Sequence, residues 1–142
     1  MEKRLDSKPA GETILIADDE FGVLEVLEFI LSDLGYRVVT ALNGRDALVR
    51  VKEAHPQLIV LDFMMPVMDG PGVLKALAEN PEFRSIPVIV TSALPEETVK
   101  ERCSGYSVFL RKPYKTEPLL EAISTLLNKA KITASMDETK DK

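Results

Sequence analysis

Between Glu12 and Lys129, short apolar runs alternate five times with longer amphipathic stretches. That alternation is the pattern of a parallel sheet covered by helices on both faces. The runs Thr13 to Ala17, Arg37 to Ala41, Leu58 to Leu61, Pro87 to Thr91 and Val108 to Leu110 are rich in Ile, Val or Leu and predict five strands buried on both faces. A first helix is predicted from Phe21 to Leu34, because Val23, Leu24, Leu27, Ile30, Leu31 and Leu34 recur at helical spacing before Gly35. A second, Gly44 to Ala54, carries Ala47, Leu48, Val51 and Ala54 on one stripe and ends at His55-Pro56. A third follows Asp69-Gly70 and runs to about Glu79, where Asn80-Pro81 breaks it. The fourth, Pro95 to about Cys103, is short and poorly amphipathic. The last carries Leu119, Leu120, Ile123, Leu126 and Leu127, with Thr116 as its expected cap and Pro118 in its first turn.

The two ends are polar: Met1 to Gly11 and Thr133 to Lys142 show neither period and are expected to be frayed tails. The chain of 142 residues suffices for one domain with its own core and is too short for two. Its 18 Lys and Arg against 23 Asp and Glu leave a net charge of -5, which argues against a general nucleic-acid binder. A lone Cys103 excludes an intramolecular disulfide and any multi-cysteine metal site, and reads as a packed or half-buried thiol. With no apolar run near the ~20 residues of a membrane span and no apolar stretch at the start, the expected location is the cytoplasm. His55, beside Pro56, reads as a solvent-exposed or capping residue.

In an open parallel sheet, ligands bind beyond the carboxyl ends of the strands, near the point where strand order reverses. Asp18, Asp19 and Glu20 follow the first strand here, Asp62 ends the third, Thr91-Ser92-Ala93 ends the fourth, and Lys112-Pro113 follows the fifth. Each acid alone is as readily a helix cap or a solvated loop residue. An acid cluster, a lone acid, a hydroxyl and a lysine at four different strand ends make coincidence the weaker account. If the first and third strands are neighbours, their carboxylates converge and repel, and a hard divalent cation, Mg2+ or Mn2+, resolves that repulsion better than zinc. Lys112 and Ser92 suit phosphoryl oxygens. The set reads as a phosphoryl-transfer site with Asp62 as nucleophile, since it stands alone at its strand end, and Asp18 and Asp19 as the pair that shares a metal.

These residues resemble the receiver domains of bacterial response regulators in two-component signalling. ILIADDE is similar to the family's first strand and acidic pair, VLDFMMPVMDG to its phosphoacceptor segment, VIVTSA to its hydroxyl-bearing strand end, and GYSVFLRKPY to its final switch and lysine segment. The resemblance implies an α/β, flavodoxin-like, doubly wound sheet of five parallel strands in the order 2-1-3-4-5 with five helices. It spans residues 12–129, between a flexible N-terminal tail (1–11) and a polar C-terminal tail (130–142). It further implies that Asp18, Asp19, Asp62 and the backbone carbonyl of Met64 ligate Mg2+ and that Asp62 is phosphorylated. Ser92 and Lys112 assist, Ser92 and Phe109 form the switch, and the Lys112-Pro113 bond is cis. The segment between Ser92 and Lys112 is about two residues shorter than the family pattern, which predicts a short or distorted fourth helix.

By the same resemblance, the phosphoryl donor is a sensor histidine kinase or a histidine phosphotransfer protein, and the chain acts as an enzyme only on itself. The 13 residues after Lys129 are too few for an effector, so the expectation is a stand-alone receiver signalling through a downstream protein, an intermediate relay passing the phosphoryl group on, or a receiver cut from a longer protein, without direct DNA or membrane binding. The oligomeric state stays open, with the last helix as the expected contact face. Apolar Met64 and Leu94 beside the acceptor imply slow self-dephosphorylation. Three other readings start from the same residues. A haloacid-dehalogenase-like phosphatase wants a general acid where Met64 stands. An FMN carrier needs a hydroxyl- and glycine-rich phosphate loop after the first strand, where Asp18-Asp19-Glu20 would repel the phosphate. A receiver fold kept as a binding module without phosphorylation would ignore phosphodonors.

Overall fold

The computed structural model describes residues 11–140, with side chains described through residue 133. Strands and helices alternate strictly: β1 (Thr13–Ala17), α1 (Phe21–Asp33), β2 (Arg37–Ala41), α2 (Gly44–Ala54), β3 (Leu58–Asp62), α3 (Gly70–Ala78), β4 (Val88–Ser92), α4 (Glu96–Arg102), β5 (Val108–Arg111) and α5 (Thr116–Lys140). All strand pairs are parallel, in the order β2-β1-β3-β4-β5. The expected flavodoxin-like sheet is therefore the one observed, and element boundaries differ from expectation by a residue or two except at the C-terminal end.

Alternation along each strand sends neighbouring residues to opposite layers. Leu15, Ala17, Ile59, Leu61, Val88 and Val90 face α2, α3 and α4, meeting Ala47, Val51, Val73, Leu77 and Val99. Ile14, Ile16, Leu58, Val60 and Ile89 face α1 and α5, meeting Leu24, Leu27, Leu31, Leu119, Ile123 and Leu127. β1, β3 and β4 are buried on both faces as expected. β2 and β5 are not: they are the sheet's edges, lack a neighbour on one side, and are mostly half-buried. Among the described residues, no helix is long and apolar enough to cross a membrane.

The C-terminal end departs most from expectation. α5 starts at Thr116, so that threonine opens the helix instead of preceding it as a cap. The helix continues to Lys140, through the stretch expected to be a polar tail from residue 130. No Gly or Pro follows Pro118 to stop it, and Ala and Lys favour its continuation. Lys131 Nζ, within the extension, lies 2.7 Å from Glu12 Oε2 at the start of β1. The N-terminal tail expected over residues 1–11 lies, up to residue 10, outside the described residues.

The strand order reverses between β1 and β3, and the loop after β3 is pressed against the sheet there. Asp69 caps α3, its carboxylate accepting from Gly72 N at 3.0 Å. Gly70 N donates to Phe63 O at 2.9 Å, and a Cβ on Gly70 would stand 2.9 Å from Asp62 O and Phe63 Cα. Only glycine lets α3 start so close to the end of β3. Gly70→Ala is expected to destabilise the fold by about 1–3 kcal/mol in urea denaturation through this backbone collision. Gly22→Ala, on α1 with nothing within 4 Å of the added carbon, is expected to stabilise it by about 0.5–1 kcal/mol. A neutral Gly70→Ala would contradict the clamp.

Candidate phosphoacceptor and metal site

Strand register brings the acids level. Ala17 pairs with Leu61, so Asp18 and Asp62 follow side by side at the carboxyl ends of β1 and β3. Asp18 N still donates to Ala41 O at 3.0 Å, which holds the residue in line with its strand before α1 begins. One carboxylate oxygen of Asp18 accepts from Glu20 N at 2.9 Å and the other from Lys112 Nζ at 3.1 Å. Asp18 and Asp62 are buried, 3% and 6% exposed, whereas Asp19 faces solvent. One carboxylate oxygen from each of Asp18, Asp19 and Asp62 lies within 4.8 Å of the other two.

Lys112 is the cation that faces this cluster. It follows β5, where Ser92 pairs with Arg111, and its backbone N donates to Ser92 O at 2.8 Å. The Lys112-Pro113 bond is cis, as expected. The ammonium stands 3.1 Å from Asp18, 3.4 Å from Asp62 and 3.7 Å from Glu20. Burial works against its charge, but Asp62 and Asp18 more than offset this and raise its pKa. A single ammonium cannot neutralise three carboxylates. Burial, followed by repulsion from Asp18, pushes the Asp62 pKa up to about 6, even though Lys112 pulls it down and Asp19 adds only a smaller push.

The remaining expected residues surround this core. Ser92 is buried at the end of β4, and its hydroxyl accepts from Leu94 N at 3.0 Å. Phe109 pairs with Val90 two residues below Ser92, so Ser92 and Phe109 share one sheet face. Phe109 is half-buried against the core that includes Leu94, Val99 and Tyr106. Met64 sits two residues past Asp62 with its side chain 61% exposed. Val67, in the same loop, is a β-branched residue held at φ 70°, a conformation that favours glycine. The structure thus brings Asp18, Asp19, Asp62 and Lys112 into one pocket, with Ser92 at the adjoining strand end and Phe109 further down β5. Sequence reasoning gave no site role to Glu20, which shares Lys112, or to Tyr114. Burial raises the Tyr114 pKa, with Lys112 opposing and Asp18 and Asp62 adding to it. The one signal for Tyr114 was its place beside Lys112-Pro113.

The cluster makes stability depend on pH. Between about pH 4 and pH 6 the folded chain keeps a proton on Asp62 that the unfolded chain has released, so folding stability falls as pH rises through that window. In metal-free buffer, Asp62→Asn is expected to be more stable than wild type at pH 7.5 by on the order of 2 kcal/mol. The difference should vanish below about pH 4. Urea denaturation across that range checks it; a variant less stable than wild type at neutral pH would contradict the crowding.

Comparison with known proteins agrees with this geometry. The family model described as "Response regulator receiver domain" matches residues 14–124. The chain is 38% identical over 130 residues to the ycf27 protein of Pyropia yezoensis, covering 88% of this chain and 51% of that one. It therefore spans about half the length of that curated relative. The receiver domain of a signal transduction histidine kinase from Syntrophus aciditrophicus superposes with a TM-score of 0.77 at 34% identity, covering 84% of this chain and 92% of that one. The receiver domain of a sensor histidine kinase from Pseudomonas aeruginosa, solved with a magnesium ion coordinated in its active-site cleft, superposes with a TM-score of 0.77 at 27% identity, covering 84% and 99%. By sequence family, sheet order and strand-end chemistry together, this chain belongs to the response regulator receiver domains of two-component signalling.

Proposed function

We propose that this receiver accepts a phosphoryl group on Asp62 from a phosphohistidine of a sensor histidine kinase or histidine phosphotransfer protein, and signals to a downstream protein through Ser92 and Phe109. The observation that carries this reading is the convergence of three carboxylates and one half-buried ammonium at the strand-order reversal. The donor set is all oxygen and in excess of the available positive charge, which fits a hard divalent cation. Asp18, Asp19, Asp62 and the backbone carbonyl of Met64 would hold Mg2+, or Mn2+ in its place. When bound, the ion supplies positive charge beside the oxygens of the transferred group. The magnesium seen in the Pseudomonas aeruginosa receiver supports this assignment.

In the transfer, a carboxylate oxygen of Asp62 attacks phosphorus in line. The O–P bond forms as the N–P bond of the donor breaks, and the electron pair of that bond returns to the imidazole nitrogen. Lys112, already 3.4 Å from Asp62, stabilises the charge on the equatorial oxygens. The acyl phosphate then offers acceptors where a single carboxylate stood. Ser92 exchanges its bond to Leu94 N for one to a phosphoryl oxygen, and Phe109 moves into the space it vacates. Phe109 has no hydroxyl to favour either position, so packing alone sets the balance.

The chain catalyses chemistry on itself and turns over no external ester. A haloacid-dehalogenase-like phosphatase would want a proton donor two residues after the nucleophile, where the thioether of Met64 has none. The receiver acts in the cytoplasm and contacts proteins and not DNA, a reading that the net charge of -5 supports.

Intact-mass analysis after incubation with acetyl phosphate and Mg2+ is expected to show the gain of one phosphoryl group, absent in Asp62→Asn and abolished by chelator. After removal of the donor, Met64→Asn with Leu94→Glu should lose the label severalfold faster than wild type, because polar groups there can place the attacking water. No mass gain, or a gain retained in Asp62→Asn, would overturn the reading.

A further inference from the structure

α4 is a helix with little of its own to hold it. It has seven residues and no side-chain cap at Pro95, and it buries only Val99. A helix this short does not persist on backbone hydrogen bonds alone, so its position is set by what ties its ends. At the N-terminal end, Tyr106 OH donates to Glu96 Oε2 at 2.9 Å. At the C-terminal end the tie is Arg102. Its guanidinium carbon lies 5.3 Å from the centroid of the Phe63 ring, and its Nη2 lies 3.5 Å from Asp69 Oδ2.

Both partners of Arg102 belong to the acceptor loop. Phe63 is the residue immediately after Asp62, 1% exposed, and its backbone is held on both sides, N to Thr91 O at 2.9 Å and O from Gly70 N at 2.9 Å. Asp69 is the cap that starts α3. A guanidinium over a buried ring keeps the ring's position in register with its own helix. Arg102 thus links α4 to the residue next to Asp62 through contacts that do not include Ser92 or Phe109.

We infer that Arg102 is a positioning residue that couples α4 to the phosphoacceptor loop, so that modification of Asp62 and the placement of α4 each bias the other. The inference rests on the acceptor role proposed for Asp62. By linkage it runs both ways: a partner that holds α4 in its modified-state position favours the modified state of Asp62 to the same degree.

The test is amide hydrogen exchange on the whole chain, read by mass spectrometry, with and without Mg2+ and beryllofluoride. In wild type, exchange is expected to change both in the acceptor-loop peptide (residues 58–69) and in the α4 peptide (residues 96–102). In Arg102→Met the acceptor-loop response should persist while the α4 response falls about threefold or more. Arg102→Lys, which keeps the charge, should restore part of it. Asp69→Asn added to Arg102→Met should lower it little further. Tyr106→Phe loosens the other end of α4 and should raise its exchange in both states while keeping the difference between them. That contrast separates loss of coupling from simple fraying. An α4 response in Arg102→Met equal to that of wild type, or a wild type whose acceptor loop responds while α4 does not, overturns the inference. A wild type with no response in residues 58–69 overturns the acceptor role itself, and the inference with it.

Discussion

Three carboxylates converge where the strand order of the sheet reverses, and one ammonium faces them. That imbalance is the constraint on which the rest of the site depends. Asp18 and Asp62 are buried and level because β1 and β3 are neighbours in parallel register. Their mutual repulsion, added to burial, holds the Asp62 carboxyl far from its ordinary range although Lys112 lies 3.4 Å away. A fold optimised only for stability would not keep such a group there. The cost is tolerable because two layers of aliphatic packing, one on each face of the sheet, stabilise the strands that carry it.

The same arrangement connects the site to the surface through a few contacts. Ser92 and Phe109 share a sheet face at the end of β4 and along β5, while Lys112 hangs from the end of β5 and reaches back to Asp18. Phe63 and Asp69 connect the acceptor loop to Arg102. The acid cluster is thus bordered by elements whose positions depend on a few side-chain contacts. Val67, kept at φ 70° in the loop between β3 and α3, shows that this loop holds a backbone shape its own residues do not favour.

Much of this was legible in the sequence because buried parallel strands write themselves as short apolar runs, and a residue just past such a run has only one place to go. Asp18, Asp62, Ser92 and Lys112 were readable for that reason. What was not legible were properties that depend on neighbours in space. Val38-Val39 and Val108 to Leu110 are as apolar as stretches of the central runs, and only strand order makes their strands edges. The continuation of α5 to Lys140 was hidden because helical period is carried by buried positions, and a helix that leaves the core loses its period without ending. Arg102 carries no motif; its meaning comes from a ring 39 positions earlier that the fold places beneath it. Glu20 was visible in the acid cluster, yet its contact with Lys112 arises because the lysine side chain reaches from the end of β5 to the end of β1.

The central claim is that the crowded acids hold a divalent cation. Calorimetric titration of the phosphate-free protein with MgCl2 tests it most directly. A saturable, one-to-one uptake is predicted, lost in Asp18→Asn and weakening as pH falls below about 6, where a proton competes for Asp62. Absence of saturable uptake at neutral pH, or uptake unchanged by Asp18→Asn, would contradict the account.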